Sequence, residues 1–531
     1  MAVVVYDKED LCALVGKDIP IEELISTIPL LGMRVEKDEG KEIHVDITPN
    51  RIDLLSVEGM ARALSSFLSV RAGVREYGAR DSELKFAVDR RLKVVRPYVV
   101  SALVKNVRID DRLLRSLMQV QEKIHETFGR KRKKVAIGMH DFQVLRPPFE
   151  YKAVSPDGIK FIPLDLNDEM TPAEILAKHP KGIEYADILK NERIYPIITD
   201  SEGVVSFPPI INAERTRITE KTKEIFIEMT GTSKNALESA LNVVCTMFSD
   251  RGAEIYTVSI EGRKTPNLST KRIRFPLRKA NALLGTNFSF EEAKKLVERM
   301  GLSLVGSDAV IPCYRPDIMH WVDVAEDMAI AYGYDKLEPT TSEFYSAGNP
   351  LERNEAEMRI KLIMIGMGFT EVVTFMLSNE KIDAEMMRIK EKEWAKLMNS
   401  RTQELSVVRT WLVPSLLSVL AGNKKEKMPH RIFEIGDAVA VGEGVNEKRL
   451  LAVAVAHPKA CFSEIKSVAE RLFYEAGMNA EFERCEHGSF IEGRCARISV
   501  GAKKGIIGEI HPEVLNNFGI EQPTAVFEIE I

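Results

Sequence analysis

Cys313-Tyr-Arg-Pro-Asp-Ile-Met-His-Trp-Val-Asp-Val-Ala-Glu-Asp-Met-Ala-Ile-Ala-Tyr-Gly-Tyr334 reads as a turn that runs into a short helix with an acidic head. Pro316 biases Arg315 away from the helical region, and Asp317 stands where a turn into a helix would begin. From about His320 to Tyr332 the pattern has helical period. Trp321, Ala325, Met328 and Tyr332 share one face, with Asp323, Glu326 and Asp327 opposite. Gly333 supplies the stop. Four carboxylates, Asp317, Asp323, Glu326 and Asp327, are therefore expected at the head and along one side of this helix. Three readings suit them: a solvated helix start favoured by the dipole, an oxygen-only site for a hard cation such as Mg²⁺, or an acidic patch that meets a basic partner.

Around that stretch lies a chain of 531 residues, too long for one core, so several domains are expected. Hydrophobic residues at 45% and charged residues at 29% match an ordinary soluble globular protein. No apolar run reaches the length of about 18 residues that a membrane span needs. The opening MAVVVYDKED carries acids directly after its apolar run, which is wrong for a signal peptide. A net charge of -5 means that any nucleic-acid contact must be local or delegated to a partner. The six cysteines are scattered without a C-x₂-C pair, which argues against structural zinc and a disulfide framework and fits a reducing cytoplasm.

Residues 1 to about 75 predict a small αβ unit. Val3–Val5 and Ile43–Ile47 read as strands, and Lys8–Val15, Pro20–Ile28 and Leu54–Leu68 as helices, the last capped by Asp53 or Ser56. In Thr48-Pro-Asn-Arg-Ile-Asp53, the polar residues are expected to hold a buried strand–helix junction by hydrogen bonds. Residues 76–95 are polar and mixed in charge, as a linker would be.

The next unit runs to about Pro266. Tyr98–Val104 and Val135–Met139 read as strands and Asp110–Thr127 as an amphipathic helix. Between them, Gly129-Arg-Lys-Arg-Lys-Lys134 puts five cations in a row, which are unlikely to be buried; the run is a solvated loop end or a contact with RNA phosphates, which would position rather than specify. Met139-His-Asp141 is a tempting acid–base pair, yet adjacent residues need not face each other, and a structural role is preferred. Ile225-Phe-Ile-Glu-Met-Thr-Gly-Thr232 alternates as a strand, with Ile225, Ile227 and Met229 on one side and Phe226, Glu228 and Thr230 on the other. Alternating polar residues on a strand usually face solvent. The other possibility is chemical: Glu228 and Thr230 on one face could bind an amino group and orient a water, as ester hydrolysis requires. A long helix from Ser233 to Ser249 follows.

Residues 270 to about 340 predict three strands and short helices (Arg278–Leu284, Phe290–Met300 and the acidic helix), a winged-helix-like module whose few cations do not support DNA binding. From about Ala347 the chain reads as one α+β domain. Its expected helices are Leu351–Ile365, Glu380–Lys396, Pro414–Ala421 and Phe462–Ala476. Its expected strands are Val372–Leu377, Arg431–Ile435, Leu450–Ala456, Arg497–Val500, Gly505–Ile510 and Ala525–Ile531, in an antiparallel sheet. His511, directly before Pro512, is read as a cap rather than a base.

Five signatures together resemble one family in its own order. Ile311–Asp317 with Asp323–Tyr334 is similar to the B5 domain of phenylalanyl-tRNA synthetase beta subunits, and ITPNRIDLLSVEGMARAL to their N-terminal domain. Val204–Asn212 with Ile225–Thr232 resembles their B3/B4 region. Ser406–Leu417 with Arg431–Gly436, and Gly508–Gly519, resemble their class II synthetase-like module. The archaeal and eukaryotic form is the nearer resemblance, since neither an inserted OB fold nor a bacterial anticodon-binding domain is seen.

That resemblance implies an α+β multidomain protein: a B1-like domain over residues 1–90, a B3/B4 editing domain over 91–267, a winged-helix-like B5 domain over 268–343, and a non-catalytic class II-like antiparallel sheet domain (B6/B7) over 344–531. It implies a cytoplasmic ligase subunit that partners an alpha subunit in an α₂β₂ tetramer and joins phenylalanine to tRNA(Phe) with ATP as substrate. Asp317, Asp323, Glu326 and Asp327 would be a Mg²⁺ site shared with alpha. Pro208, Asn212, Glu228 and Thr230 would belong to the pocket that hydrolyses tyrosine wrongly joined to tRNA(Phe), with the water activated by substrate and backbone, since no histidine lies near Glu228 in sequence. The C-terminal module lacks a Gly-rich, arginine-bearing ATP segment and ends in Glu528 and Glu530, so adenylation is expected in alpha. A free-standing hydrolase of mischarged tRNA and a non-enzymatic assembly or RNA-binding subunit are the alternatives.

Overall fold

Val4 and Tyr6 turn inward while Val3 turns out, which makes Ala2–Asp7 the first strand of a three-stranded sheet. Glu42–Ile47 lies at its centre and Arg34–Asp38, a strand too charged to be read from sequence, at its far edge. Asp7 caps the helix Lys8–Val15, and Gly16 ends it at φ 81°. A 3₁₀ turn, Ile52–Leu55, precedes the helix Val57–Phe67, where Ser56 accepts from the Gly59 amide at 3.1 Å. This computed structural model describes residues 2–341, 346–390, 392–442 and 444–531. The chain forms two units, Met1–Thr341 and Ser342–Ile531; the boundary expected at 343/344 lies outside the described residues.

A ten-stranded sheet dominates the first unit. Its order is Ile211–Asn212, Val204–Phe207, Tyr195–Thr199, Phe149–Val154, Lys85–Val88, Glu254–Ile260, Tyr98–Lys105, Ile225–Gly231 and Val135–Asp141, with Arg263–Thr265 paired to Glu254–Ile260. The expected linker at 76–95 is corrected here. Lys85–Val88 pairs with two strands of this sheet, and Phe86 is buried against Phe149 and Phe226, so an N-terminal domain reaching to residue 90 is too long. One inward phenylalanine among charges was too short a pattern to show it. Strand Ile225–Gly231 splits its faces as the alternation predicts. Ile225, Ile227 and Met229 pack with the helices Asp111–Glu126 and Lys234–Asp250, while Phe226 stacks on Phe149 at 4.4 Å on the other side.

The module after it pairs Lys271–Arg274, Asp308–Ile311 and Ser303–Val305 in that order, with helices Leu277–Leu284, Phe290–Arg299 and Trp321–Tyr332. The last helix does not present one dry and one acidic side. Val324, Ala325 and Met328 fill the module's own core, and Asp327 is buried as well.

In the second unit a seven-stranded sheet runs Thr370–Glu371, His430–Val441, Val445–Ala456, Thr524–Glu530, Lys503–Ile510, Phe490–Val500 and Glu481–Arg484, antiparallel except at its first pair. Helices Glu352–Gly366 and Phe462–Glu475 cover one face, and Val413–Gly422 and Pro512–Phe518 the other. Two expectations fail. Val372–Met376 joins no strand, and only Leu377–Ser378 pairs, with Val407–Val408. Glu380–Lys396 holds one π turn, Lys381–Glu385, because buried Asp383 gathers Trp394 Nε1 at 2.8 Å and Thr410 Oγ1 at 2.6 Å, which a straight helix could not do; residue 391 lies outside the described residues. His511 is a cap, its Nδ1 accepting from the Glu513 amide at 3.1 Å.

Candidate functional site

Strand pairing places Glu228 opposite Gly138 on one side and Ser101 on the other, in the interior of the large sheet. The expectation that its polar face meets solvent is wrong: Glu228 is 2% exposed and Thr230 0%. Ser206 Oγ donates to Glu228 Oε1 at 2.9 Å, which pins the carboxyl, while Oε2 has no protein partner. A buried, unpartnered carboxylate oxygen is costly, and this one belongs to the lining of a cavity of about 170 Å³. Phe207, Pro208, Pro209 and Ile210 give that cavity an apolar wall, together with Ala136, Ile137 and Asn212. The arrangement is a pocket with an apolar wall on one side and Gln121, Arg132, Asp165, His179 and Lys181 elsewhere in its lining, where Glu228 carries an unpartnered acceptor.

Of the expected pocket residues, Pro208, Asn212 and Glu228 meet at this cavity. Asn212 is half-buried, with Nδ2 donating to Met139 O at 3.3 Å. Thr230 is not among the lining residues. Its hydroxyl accepts from Arg96 Nε at 2.7 Å and its carbonyl from Arg96 Nη2 at 2.5 Å, so it serves as an anchor for a buried arginine. Burial pushes that guanidinium down to about 10, against the pull of Tyr151 and Glu228.

The sequence offers His140 only as a partner of Asp141, and its place beside Glu228 is not legible there. It lies 86 residues before the nearest strand it pairs with at Phe226, yet its Nε2 comes within 3.8 Å of Glu228 Oε1. Thr216 has one hydroxyl proton, directed to Ala213 O at 3.0 Å, so it accepts from His140 Nδ1–H at 2.8 Å. In the neutral ring the lone pair therefore sits on Nε2, behind the carboxyl. Gly138 makes the approach possible, since a Cβ there would stand 2.3 Å from Glu228 Oε1 and 2.9 Å from His140 Nε2. Asp141 faces elsewhere and accepts from Thr222 Oγ1 at 2.7 Å, so the adjacent His–Asp pair is no acid–base couple.

A second cavity of about 350 Å³ shares Gln121, Leu164, Asp165 and Asn212 with the first and adds Leu117, Met118 and Ile218. A larger one, about 770 Å³, lies against Asp7–Asp18. Its lining holds no unpartnered buried polar atom, which leaves it without the chemistry of the Glu228 slot.

The four helix-head carboxylates are not gathered around a shared point. Arg315, itself buried, forks onto Asp317 at 2.9 and 2.7 Å and reaches Asp327 at 3.0 Å. Burial raises the Asp327 carboxyl, opposed by Arg315 and Arg51. Burial also works on Asp53, but the Arg51, Arg315 and Arg62 charges win and hold it low. Arg51 grips Asp53 through two contacts of 2.9 Å, so the Asn-Arg-Ile-Asp and Arg-Pro-Asp runs, far apart in sequence, contribute to one buried charge cluster. Asp323 Oδ2 accepts from the Met319 and His320 amides, both at 2.7 Å, and Glu326 is exposed. The helix cap expected of Asp317 is thus supplied by His320 and Asp323. Two of the four carboxylates are satisfied by arginine and a third by backbone, so the residues do not fit a ready-made cation site. Among the described residues the group of ligand atoms close enough to share an ion is Glu39, Glu42 and His44.

In the second unit, Arg409 and Glu434 form a buried pair at 2.9 Å, completed by Thr374 at 2.6 Å. Glu528 is buried with its Oε2 on the Leu412 and Val413 amides at 2.6 and 3.1 Å, and burial lifts it to about 7. The arginine and glutamate of the class II-like signatures are spent on each other. On the helix Glu352–Gly366, by contrast, Met358, Leu362 and Ile365 form an apolar stripe open to solvent, with exposed Val373 and Phe375 in the following segment.

Comparisons with known proteins agree along the whole chain. Family models match the B3/4 domain at residues 107–250, the tRNA synthetase B5 domain at 273–334 and the phenylalanyl tRNA synthetase beta chain CLM domain at 337–531. Curated relatives named phenylalanine–tRNA ligase beta subunit include that of Archaeoglobus fulgidus, 42% identical over 100% of this chain and 98% of its own. That of Methanocaldococcus jannaschii is 40% identical over 99% and 98%. A crystal structure of an N-terminal fragment of the beta subunit from Pyrococcus horikoshii matches with a TM-score of 0.60 and 38% identity, covering 63% of this chain and all of the fragment.

Proposed function

Since the chain belongs to the phenylalanine–tRNA ligase beta-subunit family, we propose that its Glu228 slot hydrolyses tyrosine misjoined to tRNA(Phe), within an assembly whose alpha subunit forms the ester. The supporting observation is the orphaned Oε2 of Glu228, a residue that lines a cavity with one apolar wall. A phenol hydroxyl entering the slot donates to that oxygen and satisfies it. A phenylalanine side chain leaves it unpartnered and buried, so the correct product is rejected by the same atom that accepts the wrong one. Sites built around a substrate hydroxyl discriminate by about 10⁴ or more. The adjoining cavity leaves room for the terminal nucleoside of the ester. Ser206 positions the carboxyl. Water is oriented at the ester by the bound substrate and backbone.

The second unit supports the division of labour. Its arginine–glutamate pair is internally satisfied and Glu528 is buried on two backbone amides, so neither offers a cation to a triphosphate. The open stripe Met358–Leu362–Ile365 is the surface we assign to the alpha partner, in an α₂β₂ assembly working in the cytoplasm with ATP and phenylalanine bound by alpha. A magnesium ion shared with that partner would draw on Glu326 from this chain, with the remaining oxygens from the other; Glu326→Gln then lowers the magnesium dependence of subunit association, and an unchanged dependence removes the ion from this place. No step of the editing reaction runs through it.

The test is hydrolysis of tyrosyl-tRNA(Phe) and phenylalanyl-tRNA(Phe) by the assembled enzyme. Wild type cleaves the tyrosyl ester. Glu228→Gln, which removes the charged acceptor, slows that cleavage about 10- to 100-fold. Equal cleavage of both esters, or a neutral Glu228→Gln, contradicts the reading.

A further inference from the structure

Residues Arg130, Lys131 and Arg132 occupy the left-handed region in succession, with φ of 50, 51 and 64°. Side chains other than glycine adopt this conformation only at a steric cost. Such a run persists only where the surroundings impose it. Here they do. The 1%-exposed Arg96 donates to the carbonyls of Arg132 and Lys133 at 3.1 and 3.2 Å, and the Arg132 amide bonds to His125 O at 3.1 Å. Gly129 is required at the base of the turn, since a Cβ there would meet Val135 O at 2.6 Å. The inner side of the turn is thereby tied down, and Arg130, Lys131 and Lys133 are left exposed.

Among the described ion pairs none engages Arg130, Lys131, Lys133 or Lys134. In a chain whose net charge is -5, this is a strong local excess of positive charge held in a fixed shape. Arg132 joins the turn to the slot. It lines the cavity, stacks over Tyr185 at 4.2 Å and donates to Ile210 O at 2.7 Å, so it props the apolar wall from behind. Lys181 adds another cation to the same lining.

We propose that the Arg130–Lys134 turn is the phosphate-binding surface that leads the single-stranded 3′ end of an RNA into the Glu228 slot. The occupant follows from the continuity of turn and slot and from chemistry. Guanidinium and ammonium groups on a rigid turn suit a polyanion, and the rings beside them are already covered, Tyr185 by Arg132 and Phe128 by Lys134, so phosphates rather than bases are engaged. The proposal rests on the slot being an editing site for an aminoacylated RNA. It goes beyond that reading by naming the surface that delivers the strand.

Two substrates separate the surface from the slot: tyrosyl-tRNA(Phe) and the phosphate-free tyrosyl ester of adenosine, both presented to the assembled enzyme. The triple variant Arg130→Ala, Lys131→Ala, Lys133→Ala changes exposed side chains only, and its thermal midpoint verifies folding. It is expected to raise the tRNA-to-ester KM ratio about tenfold. The slope of log KM for tRNA against log salt should fall by about 2, as loss of three single-strand phosphate contacts implies. Lys131→Glu alone should act in the same direction. An unchanged ratio and salt slope in both variants overturn the proposal, as does loss that is equal for the two substrates. Failure of wild type to cleave either substrate is the separate signature of a wrong slot assignment, and it removes the turn's role with it.

Discussion

Gly138 shows how much of the site is decided by a missing side chain. A methyl group there would overlap Glu228 Oε1, and the carboxyl would have to leave the Ser206 hydroxyl that fixes it. Gly138→Ala should therefore slow tyrosyl-tRNA hydrolysis about 100-fold, equivalent to roughly 3 kcal/mol. The assembled enzyme's ligation rate serves as the comparison; equal loss of both activities would point to misfolding instead. At this scale the sequence was informative about which strand face carries Glu228 and silent about what surrounds it. The alternation Phe226, Glu228, Thr230 is plain. That Thr230 is taken by Arg96, and that His140 stands beside Glu228, depends on which strands become neighbours, and residue spacing does not encode that pairing.

Helices with clear caps and glycine stops fall where their sequences put them, the acidic helix Trp321–Tyr332 among them. What could not be read is which of its carboxylates face inward. Asp327 shares a face with Asp323 and Glu326 in the helical pattern, and Arg315 draws it inward by burying its own charge beside it. Strand Thr524–Glu530 carries the comparable case in the second unit. Glu528 has a folded value of about 7, above the ordinary 4.5, because burial favours its neutral form despite two backbone donors. The native state therefore holds a proton that the unfolded chain releases between pH 4.5 and 7. Stability from this group is present at low pH and lost as pH rises through about 7, by a few kcal/mol at most, roughly 1.4 per unit. Glu528→Gln should raise the unfolding midpoint of the chain at pH 8 relative to wild type, with the gap closing towards pH 5. A gap of constant size across that range would show that Glu528 does not titrate in the window.

At the scale of the whole chain, five signatures carry the family and the order of its parts, because their residues sit on single elements or at the junctions between them. Segments such as Val372–Met376 resisted reading, with Val373, Phe375 and Met376 exposed rather than paired. An apolar stripe on a solvent-facing helix is a poor feature for a protein that works alone and a natural one for a subunit. The account gives this chain proofreading and assembly, and gives adenylation to the partner. Its central claim is that a single buried oxygen tells tyrosine from phenylalanine. The most direct measurement is calorimetric binding of non-hydrolysable tyrosyl- and phenylalanyl-adenosine amides to the assembled enzyme blocked at its synthetic site, with and without Glu228→Gln. Binding of the tyrosyl compound at least about 100-fold tighter, with the difference largely erased in Glu228→Gln, is what the account predicts. Equal affinities in wild type, or a preference that survives Glu228→Gln intact, would contradict it.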